Sequence, residues 1–140
     1  IRFVADTAKL GLPEITLGII PGAGGTQRLI RQAPLCRAKE MMFSGGRISA
    51  QTALEIGIVN RVVAAADLLE ETLSFAAEVA ERSPLILKIF KRTVNDGMNM
   101  TLQAALSHEK AMASLVFDAL DAHEGCEAFL EKRQANFTGK

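Results

Sequence analysis

Residues 21–25, Pro-Gly-Ala-Gly-Gly, constrain the fold of this chain more than any other segment. Proline lacks a backbone donor and fixes one backbone angle, while glycine loses the most conformational entropy when it is ordered. No regular helix or strand therefore runs through these five residues. An apolar segment, residues 14–20, leads into them, and helix-forming residues resume at Thr26. The sequence predicts a glycine turn from which a helix starts.

The pattern on either side of this turn predicts an α/β chain in two parts. Strands are predicted over residues 1–5, 9–12 and 58–63, and helices over residues 26–31, 34–44 and 50–56. Ser49 is predicted to cap the last of these helices. After residue 65 the pattern changes to consecutive amphipathic helices, one of them opened by Ser83-Pro84 and closed by Gly97. We therefore expect a β-containing domain over residues 1–65 and a helical domain over residues 66–140. Short loops and apolar faces predict that the helices pack on a neighbour, so we expect an oligomer.

Charge and cysteine content exclude several classes of function. The formal net charge is zero and the basic residues form no block, so we expect no nucleic-acid partner and no membrane surface. Cys36 and Cys126 lack the spacing of a metal or redox pair, and two thiols fit a reducing compartment. We expect both to be core thiols on apolar helix faces. The chain starts without methionine inside a predicted strand, which suggests a fragment or a processed product.

Glu14 is the first candidate for chemistry. It follows Pro13 and precedes an apolar stretch, and apolar surroundings disfavour the charged form of a carboxyl group. That suits a glutamate that donates a proton. The alternative is a solvated turn residue, because glutamate is usually exposed.

Gly22, Gly24 and Gly25 are the second candidate. Glycines before a helix allow backbone N–H groups to approach a ligand oxygen, and the helix start adds a positive partial charge. The alternative is a tight turn without a ligand. No lysine followed by serine or threonine comes after the glycines, so a nucleotide site is poorly supported.

The segment P-E-I-T-L-G-I-I-P-G-A-G-G-T-Q-R-L, residues 13–29, resembles the enoyl-CoA hydratase (crotonase) family. In that family an acidic residue precedes P-G-x-G-G-T-Q-R-L. The resemblance continues through Ala38-Lys39-Glu40, the segment from Gly46 to Gln51, and Gly57-Ile58-Val59, and it ends with Glu131-Lys132-Arg133. It covers essentially the whole chain in order.

The resemblance implies that the parent protein adds water across the double bond of a 2-enoyl-CoA thioester. It implies that Glu14 is the catalytic glutamate that delivers a proton to the α-carbon. Gly22 would line the same pocket, where its N–H helps to hold the attacking water. Lys132 would bind the nucleotide end of CoA, often across a subunit boundary; the alternative for Lys132 is a solvated surface charge.

The resemblance also implies a fold and an environment. The fold would be the C-terminal part of a crotonase ββα-spiral core, without its N-terminal half, followed by a helical trimerisation segment. The family's first glutamate and both oxyanion-hole segments lie upstream of Ile1, so we expect the chain alone to be nearly inactive. The partners would be an acyl-CoA substrate and identical subunits, in a trimer or a dimer of trimers. We expect no metal or redox cofactor, CoA being part of the substrate, and a bacterial cytoplasmic or mitochondrial matrix location.

Two alternatives to this function stay open. One is a related enzyme of the same fold, an isomerase or a methylglutaconyl-CoA hydratase. The other is a truncated, non-catalytic oligomerisation module, which the absent first glutamate favours.

Overall fold

A computed structural model describes residues 1–140, which form two compact units, Ile1–Ser74 and Phe75–Lys140. The division falls within α4 (Leu68–Ala80), after the predicted boundary near residue 65. The oligomerisation role expected for the helical part stays a prediction.

The first unit is built from short strands and short helices. Its strands are β1 (Phe3–Ala5), β2 (Lys9–Gly11), β3 (Arg47–Ser49) and β4 (Arg61–Val63). Its α-helices are α1 (Gly25–Arg28), α2 (Leu35–Ser44) and α3 (Ala50–Glu55), and 3-10 helices cover Pro13–Leu17 and Leu29–Arg31. β1 pairs with β4 in parallel, with Val4 opposite Val62, and β2 pairs with β3 in antiparallel fashion. The 3-10 helix Pro13–Leu17 is called the Glu14 helix below.

The core of the first unit lies between these elements. Met41 from α2, Ala53 from α3, and Ile58 and Val59 form its buried cluster. Ala38 and Ala50 are also fully buried, so small side chains bring the helices close to the strands. Ser49 caps α3 as predicted, since its side chain accepts a hydrogen bond from the Thr52 N–H.

The second unit contains helices but no strand, and residues 134–140 form no regular element. α5 (Pro84–Gly97), α6 (Leu102–Phe117) and α7 (Leu120–Glu131) pack against one another. The Ser83 hydroxyl accepts from the Ile86 N–H and caps α5, which confirms the Ser-Pro start read from the sequence. Every helix falls short of the length and apolar character that a membrane span requires.

The strands differ from the prediction in two places. The strand expected over residues 58–63 is a strand only over Arg61–Val63, because the N–H groups of Ile58 and Val59 donate to the Ala53 carbonyl instead, at 2.8 and 3.3 Å. β3 was not predicted, because three residues are too few to show an alternating pattern. It exists because β2 supplies its hydrogen-bond partners.

Candidate active site

Glu14 lies in the first turn of the Glu14 helix. Pro13 starts this helix, and Gly18 ends it in the left-handed conformation at φ 70°. The Gly18 N–H donates to the carbonyls of Glu14 and Ile15, and the Ile19 N–H reaches the Glu14 carbonyl at 3.3 Å. The apolar segment after Pro13 thus forms one tight helical turn.

The carboxylate of Glu14 is shielded and has no partner. The residue is half-buried, and its Oε2 atom is out of contact with solvent and makes no hydrogen bond within the chain. A buried polar atom without a partner typically costs about 1–3 kcal/mol. Such an atom calls for an explanation, and catalysis is a common one. The solvated-turn alternative for Glu14 therefore loses support.

The glycine turn needs glycine at two of its positions for steric reasons. Gly24 adopts φ 92°, and a β-carbon there would lie 3.0 Å from Cζ of Arg28. A β-carbon on Gly25 would lie 2.7 Å from Cβ of Pro21 and 3.2 Å from a methyl group of Leu12. Since Leu12 directly precedes the Glu14 helix, the turn packs against the residue that leads into that helix.

Gly22 differs from its neighbours. It is exposed, and a β-carbon there would meet only the Ile20 carbonyl oxygen, at 3.8 Å. Its N–H makes no hydrogen bond within the chain. Packing thus does not require glycine here, and the position is open to a ligand.

Arg28 stabilises the glycine turn, a role that the sequence did not predict. Its guanidinium folds back so that Nη1 donates to the Ala23 carbonyl at 3.0 Å, while its N–H donates to the Gly24 carbonyl at 2.9 Å. The spacing of five residues back to Ala23 is no standard capping pattern. The signal that could have found it is the arginine that follows the glycines by one helical turn.

Lys132 lies in the second unit, at the end of α7. It is exposed and adopts φ 56°, the only non-glycine residue of the chain in the left-handed region. Its N–H donates to the Phe129 carbonyl at 3.3 Å. A non-glycine residue in this region costs of order 1 kcal/mol, and here the left-handed conformation ends α7.

Arg133 fixes the chain directly after Lys132. Its two Nη atoms contact the two carboxylate oxygens of Glu124 at 2.6 and 2.9 Å, and its Nε donates to Glu131 at 2.6 Å. The Asn136 N–H also donates to Glu124. The hydrogen bonds from Arg133, followed by that from Asn136, lower the pKa of Glu124 to about 2 against the opposing effect of burial.

Asp121 holds the end of the chain. It is buried, and its oxygens accept from the Ser83 hydroxyl at 2.5 Å and from the N–H groups of Thr138 and Gly139 at 2.7 and 2.9 Å. Burial alone would raise the pKa of Asp121, but the hydrogen bonds from Ser83, Thr138 and Gly139 lower it. One carboxylate therefore joins the starts of α5 and α7 to residues 138–139.

Of the three predicted site residues, Glu14 and Gly22 belong to the first unit and Lys132 to the second. Glu14 lies in the helix that precedes the glycine turn, Gly22 lies in the turn itself, and the roles of all three residues stay predictions. The cysteine prediction is wrong: Cys36 and Cys126 are both exposed, and Cys126 lines an apolar groove between α5 and α7. No group of three or more histidine, cysteine, aspartate or glutamate residues is arranged to hold a metal ion.

Comparison with known proteins identifies the family. The model of the family described as enoyl-CoA hydratase/isomerase matches residues 1–140. This chain belongs to that family, and its fold is the crotonase fold.

Individual relatives agree with this assignment. The chain is 44% identical to the 2,3-dehydroadipyl-CoA hydratase of Escherichia coli over 135 residues, covering 96% of this chain and 53% of the relative. It is 41% identical to the crotonyl-CoA hydratase of Syntrophomonas wolfei over 139 residues, covering 99% of this chain and 54% of the relative. A crystal structure of an enoyl-CoA hydratase from Bacillus anthracis superposes with a TM-score of 0.97 at 41% identity, covering 100% of this chain and 54% of the other. The chain thus spans about half the length of these proteins.

Proposed function

We propose that this chain forms part of an enoyl-CoA hydratase, in which Glu14 donates a proton to the α-carbon of a 2-enoyl-CoA thioester. The observation that carries the proposal is the shielded Oε2 atom of Glu14, which has no hydrogen-bond partner in the chain. A protonated carboxyl group there has its donor free for substrate. The names of the relatives, hydratases of CoA thioesters, support the same chemistry.

Hydration needs a base, an acid and a site for the thioester oxygen. Water loses a proton as its oxygen bonds to the β-carbon, the α-carbon gains a proton, and the thioester oxygen carries developing negative charge in between. We assign the proton donor to Glu14, and we assign to the Gly22 N–H a hydrogen bond to the attacking water. The open surroundings of Gly22 support this role. By the resemblance, the family's first glutamate and the oxyanion donors would lie upstream of Ile1.

Lys132 is proposed to bind the phosphate-bearing end of CoA. Its exposure leaves the ammonium group free to reach a ligand, and the salt bridges of Arg133 hold the adjoining backbone. We propose no metal or redox cofactor, since proton transfer and polarisation suffice for the addition of water. Relatives include bacterial and mitochondrial proteins, which supports either the bacterial cytoplasm or the mitochondrial matrix as the location.

A second proposed role is assembly through the helical unit. Two apolar grooves of about 620 Å³ each run along α5, one beside α6 and one beside α7, and Phe90 lines both. Phe90 is 64% exposed, Leu102 76% and Phe129 81%. Soluble proteins rarely leave so many large apolar side chains in contact with water unless they bind a partner. We propose that identical subunits cover these faces, in a trimer or a dimer of trimers.

The hydration of crotonyl-CoA by the full-length protein tests the catalytic role. We expect Glu14→Gln to lower kcat by about 10²–10⁴-fold, because glutamine cannot donate the proton. We expect Lys132→Ala to raise KM with little change in kcat, as for an interaction that is equal in substrate and transition state.

Glu55→Gln is the matched control, since Glu55 is an exposed glutamate on α3 of the same unit. Turnover by Glu14→Gln equal to that of Glu55→Gln would exclude Glu14 as the acid. A wild-type protein that shifts the double bond of a 3-enoyl-CoA but hydrates nothing would favour the isomerase alternative.

A further inference from the structure

The side chain of Glu14 has no polar contact of its own to fix its position. Neither carboxylate oxygen makes a hydrogen bond within the chain, and Oε2 is shielded from solvent. A catalytic carboxyl group works only within a narrow range of distance and angle. Its position in the free protein must therefore come from the backbone that carries it, which is the Glu14 helix.

The Glu14 helix is stiffened by hydrogen bonds from its own residues. The Thr16 hydroxyl donates to the Pro13 carbonyl at 2.7 Å, and the Gly18 N–H donates to the Ile15 carbonyl at 3.0 Å. These bonds fix the shape of the turn. They do not fix where the turn lies in the unit, because all of the partners move together.

Gly45, the residue that ends α2, supplies the contact from outside. A β-carbon on Gly45 would lie 2.8 Å from Cγ2 of Thr16, 3.0 Å from Cγ2 of Ile15 and 3.7 Å from Cα of Pro13. Glu14 is thus flanked on both sides by residues that lie against Gly45. The absence of a side chain at position 45 sets how closely the Glu14 helix approaches α2.

Of these two elements, α2 is the more firmly held. Ala38 and Met41 of α2 are 0% and 5% exposed, and Met41 belongs to the core cluster. Ile15 and Leu17 of the Glu14 helix are 46% and 76% exposed. A side chain added at position 45 would therefore displace the Glu14 helix rather than α2, because a packed core yields less than a half-exposed turn.

We infer that Gly45 is a positioning residue for Glu14: its bare α-carbon seats the Glu14 helix on α2 and thereby sets the place of the catalytic carboxyl group. The inference rests on the role proposed for Glu14. Position 45 requires glycine for two reasons. The Glu14 helix approaches it closely, and Gly45 adopts φ 64° at the end of α2.

The chain offers a matched control for the conformational cost. Gly57 adopts φ 78° at the end of α3, but a β-carbon there would meet nothing within 4 Å. Gly45→Ala and Gly57→Ala therefore carry a similar left-handed backbone penalty and a similar loss of Tm from that source. Only Gly45→Ala adds the collision with the Glu14 helix.

Steady-state hydration of crotonyl-CoA by the full-length protein gives the kinetic test. We expect Gly45→Ala to lower kcat roughly tenfold or more with KM little changed, and Gly57→Ala to leave kcat near the wild-type value. Thr16→Ser removes the methyl group that lies closest to position 45 and keeps the hydroxyl that binds Pro13. Adding it to Gly45→Ala should restore part of kcat. Equal kcat for Gly45→Ala and Gly57→Ala, or no restoration, would overturn the inference.

Crystal structures of the same variants separate this inference from the proposed function. We expect the backbone of Glu14 to move by several tenths of an ångström in Gly45→Ala and to stay in place in Gly57→Ala. A displaced Glu14 in Gly45→Ala, combined with a wild-type protein that hydrates no enoyl-CoA, would refute the hydratase role and uphold the positioning role of Gly45. An unmoved Glu14 in an active enzyme would refute the seating alone. If Gly45→Ala does not fold, the double variant with Thr16→Ser takes its place in both measurements.

Discussion

The two compact units of this chain differ in the kind of residue that each one buries. In Ile1–Ser74, the buried residues are apolar, and Met41, Ala53, Ile58 and Val59 form one cluster. In Phe75–Lys140, only two small apolar residues, Ala119 and Ala128, are buried, alongside two polar residues, Ser83 and Asp121. Both units expose large apolar side chains, for example Phe43 in the first and Phe129 in the second, so the difference lies in what each unit buries.

This difference matches the roles proposed for the units. A small apolar core holds α2 in place, and α2 in turn supports the Glu14 helix, so the first unit suits a precise site. The second unit uses hydrogen bonds to Asp121 and salt bridges to Arg133 to order its chain, and it leaves its apolar faces uncovered. Apolar surface that does not form a core is available for association.

The largest effect on stability is expected in the core of the first unit. Ile58 is 7% exposed, and Ile58→Ala should reduce the free energy of unfolding by about 3 kcal/mol, because it removes buried methyl groups and leaves a cavity. Urea denaturation of the full-length protein measures this change. The matched variant in the second unit is Leu115→Ala, where Leu115 is 62% exposed and a loss below about 0.5 kcal/mol is expected. Equal losses would show that apolar burial contributes equally to the stability of both units.

A smaller effect on stability but a clear one on association is expected at Phe90. Phe90→Glu places a charge where both apolar grooves meet α5, and it should weaken self-association roughly thirtyfold or more, as for an interface hot spot. Sedimentation velocity over a range of concentrations measures this. Lys91→Glu, at the neighbouring exposed position on the same helix, should leave association nearly unchanged. A protein that sediments as a monomer, or a Phe90 variant that assembles normally, would refute the proposed interface.

The smallest expected effect is a loss of stability at low pH. The pKa of Glu124 is lowered to about 2 in the folded protein, so its contribution to stability is complete above the ordinary value near 4.5 and is lost as the pH falls towards 2. Asp121, whose pKa is also lowered, changes stability in the same direction. Hydrogen exchange should therefore show residues 133–140 opening in acid before the core of the first unit does.

Glu124→Gln should remove part of this acid dependence, and its effect should shrink in high salt because the ion pair is partly exposed. Glu127→Gln is the control, since Glu127 lies exposed on the same helix and makes no salt bridge. Residues 133–140 that stay closed down to pH 2 would show that Glu124 does not hold them.

The sequence predicted most helices of this protein and the residues around which the site was proposed. Ser49 and Ser83 were recognised as helix caps because capping uses partners only three residues away. The Glu14 helix was missed, since a segment of five residues is too short to show the period of a helix or of a strand. The exposure of Cys36 and Cys126 was also missed, because an apolar neighbourhood in sequence does not show what covers a residue in space.

What the sequence determined by itself was local: the break at residues 21–25, the starts and ends of the helices, and the motif that marks the family. The tertiary structure alone decided that Gly45 lies against the residues on both sides of Glu14, that the Oε2 atom of Glu14 lacks a partner, and that Asp121 receives the Ser83 hydroxyl. The reason is physical. Capping and turn preferences act between residues a few positions apart, whereas close packing and shielding from water depend on segments that meet only after the chain has folded.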